Sequence, residues 1–170
     1  FCQITDILAH AAANPARGTP GDALDAIGAA VRDSIAAHHV ADVPVGMFLS
    51  AGIDSALITA LSSAHGERPH TLTLAFAEYV GSANDESPLA EQLAGQFGTR
   101  HATVMVRKED FMEQREQLLA AMDQPSIDGV NTWFVSQAAI SQGIKAALPG
   151  LGGDELFASY SSFADWIYFH

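Results

Sequence analysis

Pro44-Val45-Gly46-Met47-Phe48-Leu49-Ser50-Ala51-Gly52-Ile53-Asp54-Ser55-Ala56 changes character twice within one short stretch. Val45, Met47, Phe48 and Leu49 form an apolar run too short for a helix and bounded by Pro44 and Gly52, so it reads as a buried parallel strand. Ser50 to Asp54 is a turn of small residues, and Ile53, Leu57, Ile58 and Leu61 then follow helical spacing. Strand, tight turn and helix succeed one another without a linker.

A helix begun in this way offers unpaired backbone N–H groups and the positive end of its dipole to whatever lies beyond the strand's carboxyl end. An anion belongs there. Gly52 permits close backbone approach, the hydroxyls of Ser50 and Ser55 add donors, and Asp54 stands where a divalent cation would sit beside a bound phosphate. An ordinary strand-to-helix turn, in which Ser and Asp only cap the helix, accounts for the same residues on spacing alone.

Outward from this stretch the composition sets bounds. A chain of 170 residues with 48% hydrophobic content fits one layered domain and excludes a disordered one. With only 8 Lys and Arg against 20 Asp and Glu, and a net charge of −12, it would repel a nucleic-acid backbone. No apolar run reaches membrane-spanning length, no signal peptide is evident, and the single cysteine, Cys2, precludes an internal disulfide framework. These features point to a soluble cytoplasmic protein that binds neither membrane nor nucleic acid.

On the amino-terminal side, residues 1–18 read as a frayed helix and linker, and residues 19–170 as the domain. Thr19-Pro20-Gly21-Asp22 is a helix start, continued on one face by Leu24, Ile27, Val31 and Ile35, and His38 and His39 close that helix as solvated residues. On the carboxyl side, strands are predicted at 71–76, 102–106 and 144–148, and helices at 87–97, 109–122, 131–142 and 154–160. The helix faces are assigned to Leu89, Leu93 and Phe97, and to Phe111, Leu118, Leu119 and Met122. The polar stretch 123–131 reads as a loop at the substrate edge of the sheet. The alternation argues an α/β fold: a doubly wound parallel sheet of about four or five strands with helices on both faces, in three layers.

Val43 to Ser55 resembles the pyrophosphate loop, S-G-G-x-D-S, of the N-type ATP pyrophosphatases. Its flank Asp42-Val43-Pro44-Val45-Gly46 and the distant Gly150-Leu151-Gly152-Gly153-Asp154-Glu155-Leu156-Phe157 narrow the resemblance to the synthetase domain of glutamine-hydrolysing asparagine synthetases. The likeness runs from about Ala41 to Tyr160. It implies ATP and Mg²⁺ as ligands, with aspartate and ammonia as the other substrates: the aspartate side-chain carboxylate attacks the α-phosphorus, pyrophosphate leaves, and ammonia opens the acyl adenylate. Ser50, Gly52, Asp54 and Ser55 would receive pyrophosphate and metal, Phe48, Leu74 and Gly150 would line the adenosine, and Asp154 would complete the metal site. Asp54 and Asp154 are then the catalytic pair. A glutaminase domain is the implied partner in a full-length protein, and a homodimer stays open.

If the strands take the order 3-2-1-4, the turns after Leu49 and Leu148 meet, which brings Asp54 and Asp154 to one crevice. Two carboxylates there would hold Mg²⁺ on a polyphosphate. The chain departs from the family at Ala51 and Ala56, where it has Gly and a hydroxyl residue, at Leu151, where many members are acidic, and at Asp128 and Asn131, where a basic clamp is sometimes found. It also stops at His170, before a catalytic Lys of the family, so poor turnover is expected of these residues alone. A drifted nucleotide-binding or interaction module, and a ligase for another carboxylate, remain as alternatives.

Overall fold

The computed structural model describes residues 3–15, 17–64, 68–124, 126–157 and 159–162. It divides into two compact units, Phe1–Ala37 and His38–His170. The first carries helix α1 (Ile4–Ala13), none of whose residues is buried, and most of helix α2 (Pro20–His38). The predicted helix start is built as read: the Thr19 amide donates to Asp22 Oδ2 at 2.7 Å, and the Asp22 amide donates to Thr19 Oγ1 at 3.2 Å. Cys2 lies outside the described residues. No helix among the described residues is long and apolar enough to cross a membrane.

The second unit alternates strands and helices: β1 (Val45–Phe48), α3 (Ile53–Ser63), β2 (His70–Phe76), a 3-10 turn at Ala77–Tyr79, α4 (Ser87–Phe97), β3 (Arg100–Val106), α5 (Lys108–Ala121), α6 (Gly129–Ser141), β4 (Ala146–Leu148) and α7 (Gly153–Phe157). The sheet runs β3-β2-β1-β4 and every pairing is parallel. Thr71 pairs with Met47, and Leu148 pairs with Met47 from the other side, so β1 is enclosed by β2 and β4. The predicted order 3-2-1-4 and the three-layer α/β class are therefore observed.

The two faces of the sheet are filled differently. Leu72 packs with Ala138 and Ala139 of α6 and with Ile144, and Phe48, Leu74, Val104 and Ala147 lie against them. Val106 continues this apolar layer with Leu118 of α5 and Phe134 of α6. On the opposite face Leu49 meets Ala90 and Ala94 of α4, and the buried polar side chains are all hydroxyls: Ser55, Thr59, Ser62, Thr71, Thr73 and Thr99. Small residues let helices approach a sheet closely, at the cost of hydroxyls that need partners.

The packing corrects the predicted faces of α4 and α5, and it supplies the face of α3, for which only helical spacing was read. In α3 the buried positions are Ser55, Thr59 and Ser62, while Ile53 and Leu57 are exposed. In α4 they are Ala90 and Ala94, with Leu89 outside. Of the four residues assigned to the face of α5, only Leu118 is buried. His39 is not simply solvated, since its Nε2 lies 3.0 Å from Ser62 Oγ.

A polar chain crosses this face. The Thr103 hydroxyl donates to Glu91 Oε1 at 2.9 Å, leaving its oxygen to accept from His101 Nε2–H at 3.2 Å. His101 Nδ1 then accepts from Thr71 Oγ1 at 2.9 Å, and Thr71 in turn lies 2.8 Å from Thr99 Oγ1. Burial lowers the His101 pKa below its usual value, and the neighbouring Glu91 carboxylate opposes that shift only in part.

Two predictions follow from this layer. Because the folded pKa of His101 is depressed, the unfolded chain binds the extra proton first, so the stability tied to neutral His101 is complete above pH of about 6.5 and is lost as pH falls below it. The urea midpoint should drop more between pH 7.5 and 5.5 in the native sequence than in His101→Gln. Thr59 Oγ1 is fully buried and finds no hydrogen-bond partner among the described residues, so Thr59→Val should stabilise the chain by about 1 kcal/mol, read as a raised urea midpoint with unchanged slope.

Candidate functional site

The loop after β1 is knitted by its own hydroxyls. Ser55 Oγ accepts from the Ser50 amide at 3.1 Å, lies 2.9 Å from Ser50 Oγ, and reaches the carbonyls of Ser50 and Gly52, each at 3.1 Å. Ser50 Oγ accepts from the Gly52 amide at 3.2 Å. The Ser55 side chain is buried within the turn and Ser50 is exposed at its outer side. The hydroxyls predicted as phosphate donors thus serve first to close the loop.

Gly52 caps α3 with its backbone alone: no side chain accepts from the first turn, and the first helical bond runs from the Ala56 amide to the Gly52 carbonyl at 3.1 Å. The amides of that turn and the positive end of an eleven-residue helix therefore face the carboxyl edge of the sheet. Asp54, in the same turn, is half-buried.

The second loop lies directly against the first. The β1–β4 register, Met47 to Leu148, carries both chains to their turns side by side. A Cβ on Gly150 would come within 2.9 Å of the Ser55 amide nitrogen and 3.3 Å of Asp54 Cβ. A Cβ on Gly153 would overlap the Asp54 carboxylate itself. Gly153 opens α7 and precedes the half-buried Asp154, so the two turns that carry the predicted aspartates are in contact.

The predicted adenosine-lining side chains lie elsewhere on the same edge. Phe48 and Leu74 are half-buried in the apolar layer that packs on α6. Asp85, an acidic residue ahead of α4, accepts from the Ser87 hydroxyl at 2.6 Å and from the Gly81 amide at 3.0 Å, which holds its carboxyl below the usual range and marks it as a loop-closing cap. A shallow groove of about 430 Å³ between α5 and α6, lined by Leu118, Met122 and Trp133, contains none of the predicted residues.

Negative charge surrounds the second loop. The Tyr160 hydroxyl donates to Glu155 Oε1 at 3.1 Å, which raises the phenol's pKa, and the Asp154 and Asp128 carboxylates push it in the same direction. Hard carboxylate oxygens beside free helix amides suit a divalent cation that arrives with a phosphate chain. No group of three or more ligating side chains forms among the described residues. Several large apolar side chains stand out around the two loops: Ile53 is 84%, Leu151 86% and Leu156 80% exposed.

Gly153 is the member of this site that sequence reasoning did not single out; its signal was the Gly152-Gly153 doublet ahead of Asp154. The earlier strand end also moves, because β4 begins at Ala146 rather than Ile144, and α6 begins two residues ahead of its predicted start.

The sequence profile of the asparagine synthase family matches residues 26–169. The chain is 36% identical over 143 residues to a Mycobacterium bovis protein that bears the name of a glutamine-hydrolyzing asparagine synthetase, covering 83% of this chain and 21% of that protein. It is 31% identical over 147 residues to asparagine synthetase (glutamine-hydrolyzing) 3 of Bacillus subtilis, 78% of this chain and 24% of that one. It is 30% identical over 138 residues to asparagine synthetase (glutamine-hydrolyzing) 1 of the same organism, 80% and 21%. The chain thus spans about a fifth to a quarter of the length of these relatives.

The two glycines separate folding from function. Gly150→Ala presses a methyl group against the Ser55 backbone, which cannot rotate away, and should destabilise the chain by about 1–3 kcal/mol. Gly153→Ala meets only a side chain that can rotate away, so its melting temperature should stay close to the native value, while Asp54 is displaced and magnesium-dependent nucleotide affinity falls at least tenfold. Paired thermal-melt and calorimetric titrations of the two variants check this contrast.

Proposed function

We propose that this chain, which belongs to the asparagine synthase family, is the nucleotide-activating part of an amide-forming ligase. The observation that carries the reading is the packing of Gly150 on the Ser55 amide and of Gly153 on the Asp54 carboxylate, which gives two loops from neighbouring strands a common site. Either loop alone would be an ordinary helix start.

The amides of the first turn of α3 face the β- and γ-phosphates of ATP, where developing negative charge on the leaving pyrophosphate is met by fixed dipoles. Asp54 and Asp154 would hold Mg²⁺, which would supply the positive charge that a chain of net charge −12 cannot provide from its own side chains. Phe48 and Leu74 border the nucleoside end with apolar surface, and Gly150 borders it with backbone. An aspartate side-chain carboxylate attacks the α-phosphorus: a bond forms between a carboxylate oxygen and that phosphorus, and the bond from the phosphorus to the bridging oxygen breaks, its electron pair leaving with pyrophosphate. Ammonia then attacks the acyl carbon and AMP leaves with the electron pair. In this chain's share of the work the chemistry is alignment and charge stabilisation.

Leu151 has no proton to give or take, so the ammonia step draws its base from another residue. Ammonia itself would come from a glutaminase portion of the full-length protein, as the names of the relatives say of those proteins.

Magnesium-dependent ATP binding measured by calorimetry tests the reading. Asp54→Asn and Asp154→Asn should each weaken it by at least tenfold, about 1.4 kcal/mol, and the affinity of the native chain should fall similarly when Mg²⁺ is chelated. Release of AMP and pyrophosphate that depends on aspartate, and on no other amino acid, identifies the acceptor in full-length protein. Equal ATP affinity with and without Mg²⁺, or in both variants, would sink the assignment of the two aspartates.

A further inference from the structure

Where β1 leaves the sheet, its last ladder bond is diverted. The Leu49 amide donates to the Leu72 carbonyl at 2.9 Å, as a parallel ladder requires. The next bond of that ladder would bring the Leu74 amide to the Leu49 carbonyl. The Leu49 carbonyl is instead taken by the Thr73 hydroxyl, from a side chain only 3% exposed.

The amide of the same peptide unit is held as well. Ser50 N–H donates to Ser55 Oγ at 3.1 Å. In a trans peptide, C=O and N–H point in opposite directions, and the chain has no cis bond among the described residues. The Leu49–Ser50 peptide plane is therefore pinned from two sides, by a hydroxyl on the neighbouring strand and by one on the following helix. Turning it breaks both bonds and leaves the buried Leu49 carbonyl unpaired.

We propose that Thr73 is a positioning residue for the phosphate-binding loop. It touches no ligand. It fixes the plane of the peptide from which the loop starts, and so the direction in which the following amides are presented, before any nucleotide arrives. A loop already set in its binding geometry spends less free energy on ordering when ligand binds. This proposal rests on the nucleotide reading above for its ligand, but the clamp itself is a property of the free chain.

The test uses Thr73→Val, which keeps the shape and removes the donor, Thr73→Ser, which restores it, and Thr73→Cys, whose weaker donor occupies the same space if the valine variant does not fold. Two readouts are taken: hydrogen exchange of the Ser50 amide in the free chain, and affinity for Mg·ATP. In the valine variant the Ser50 amide should exchange at least tenfold faster than in the native chain while amides of β2 keep their native rates, with about tenfold weaker Mg·ATP binding, and the serine variant should return both to native values. Faster exchange with unchanged affinity would overturn the positioning role, and unchanged exchange would overturn the clamp. If the native chain binds no Mg·ATP the nucleotide reading falls, and exchange at Ser50 alone then decides whether Thr73 holds the loop.

Discussion

The backbone of Gly150 lies so close to the Ser55 amide that no Cβ fits between them, and the order of the sheet is what permits that approach. Two turns can approach so closely only if the strands that feed them are adjacent, parallel and in register, as β1 and β4 are through the pairing of Met47 with Leu148. A side chain at position 150 would drive the turns apart and separate Asp54 from the loop that carries Asp154. The sheet order thus matters to the candidate site as much as any side chain in it does.

Behind that contact, the chemistry of the two helical layers differs for a reason. The layer of α5 and α6 is filled by Leu72, Phe134, Leu118 and their neighbours, and contributes the hydrophobic free energy of a domain core. The layer of α3 and α4 gives up large side chains for Ala90, Ala94 and a set of buried hydroxyls. Apart from Thr59, those hydroxyls tie loop to strand and strand to helix with directional bonds, which hold a turn more narrowly than apolar contact does. Precision on the loop side is offset by burial on the other.

The strands, their parallel sense and the two glycine-marked turns were legible because short apolar runs bounded by Gly and Pro have few other readings. The face of α4 was misread where that helix packs closely: Leu89 was assigned to it at helical spacing, yet Leu89 is exposed and Ala90 and Ala94 face inward. Spacing reports periodicity and cannot say which side of the period a sheet with its own threonines will accept. The start of β4 was misplaced because the Ile144 amide still bonds back to the Ala139 carbonyl at 2.9 Å, so this apolar residue belongs to the turn that closes α6 rather than to the strand. Asp54, Ser50, Ser55 and Gly150 could be named from their motifs, whereas Thr73 carried no mark, since threonine in a strand is ordinary. Its partner, a carbonyl turned out of the ladder, exists only in three dimensions.

The large apolar side chains beside the two loops have a colloidal consequence. Ile53, Leu151 and Leu156 hold most of their surface in water, and such side chains attract one another between molecules wherever those molecules approach. A surface carrying twelve excess negative charges keeps copies apart at low ionic strength. Added salt shortens the reach of that repulsion to about 10 Å at 0.1 M without weakening the apolar attraction, so dispersal of this chain in solution depends on its acidity more than on its fold.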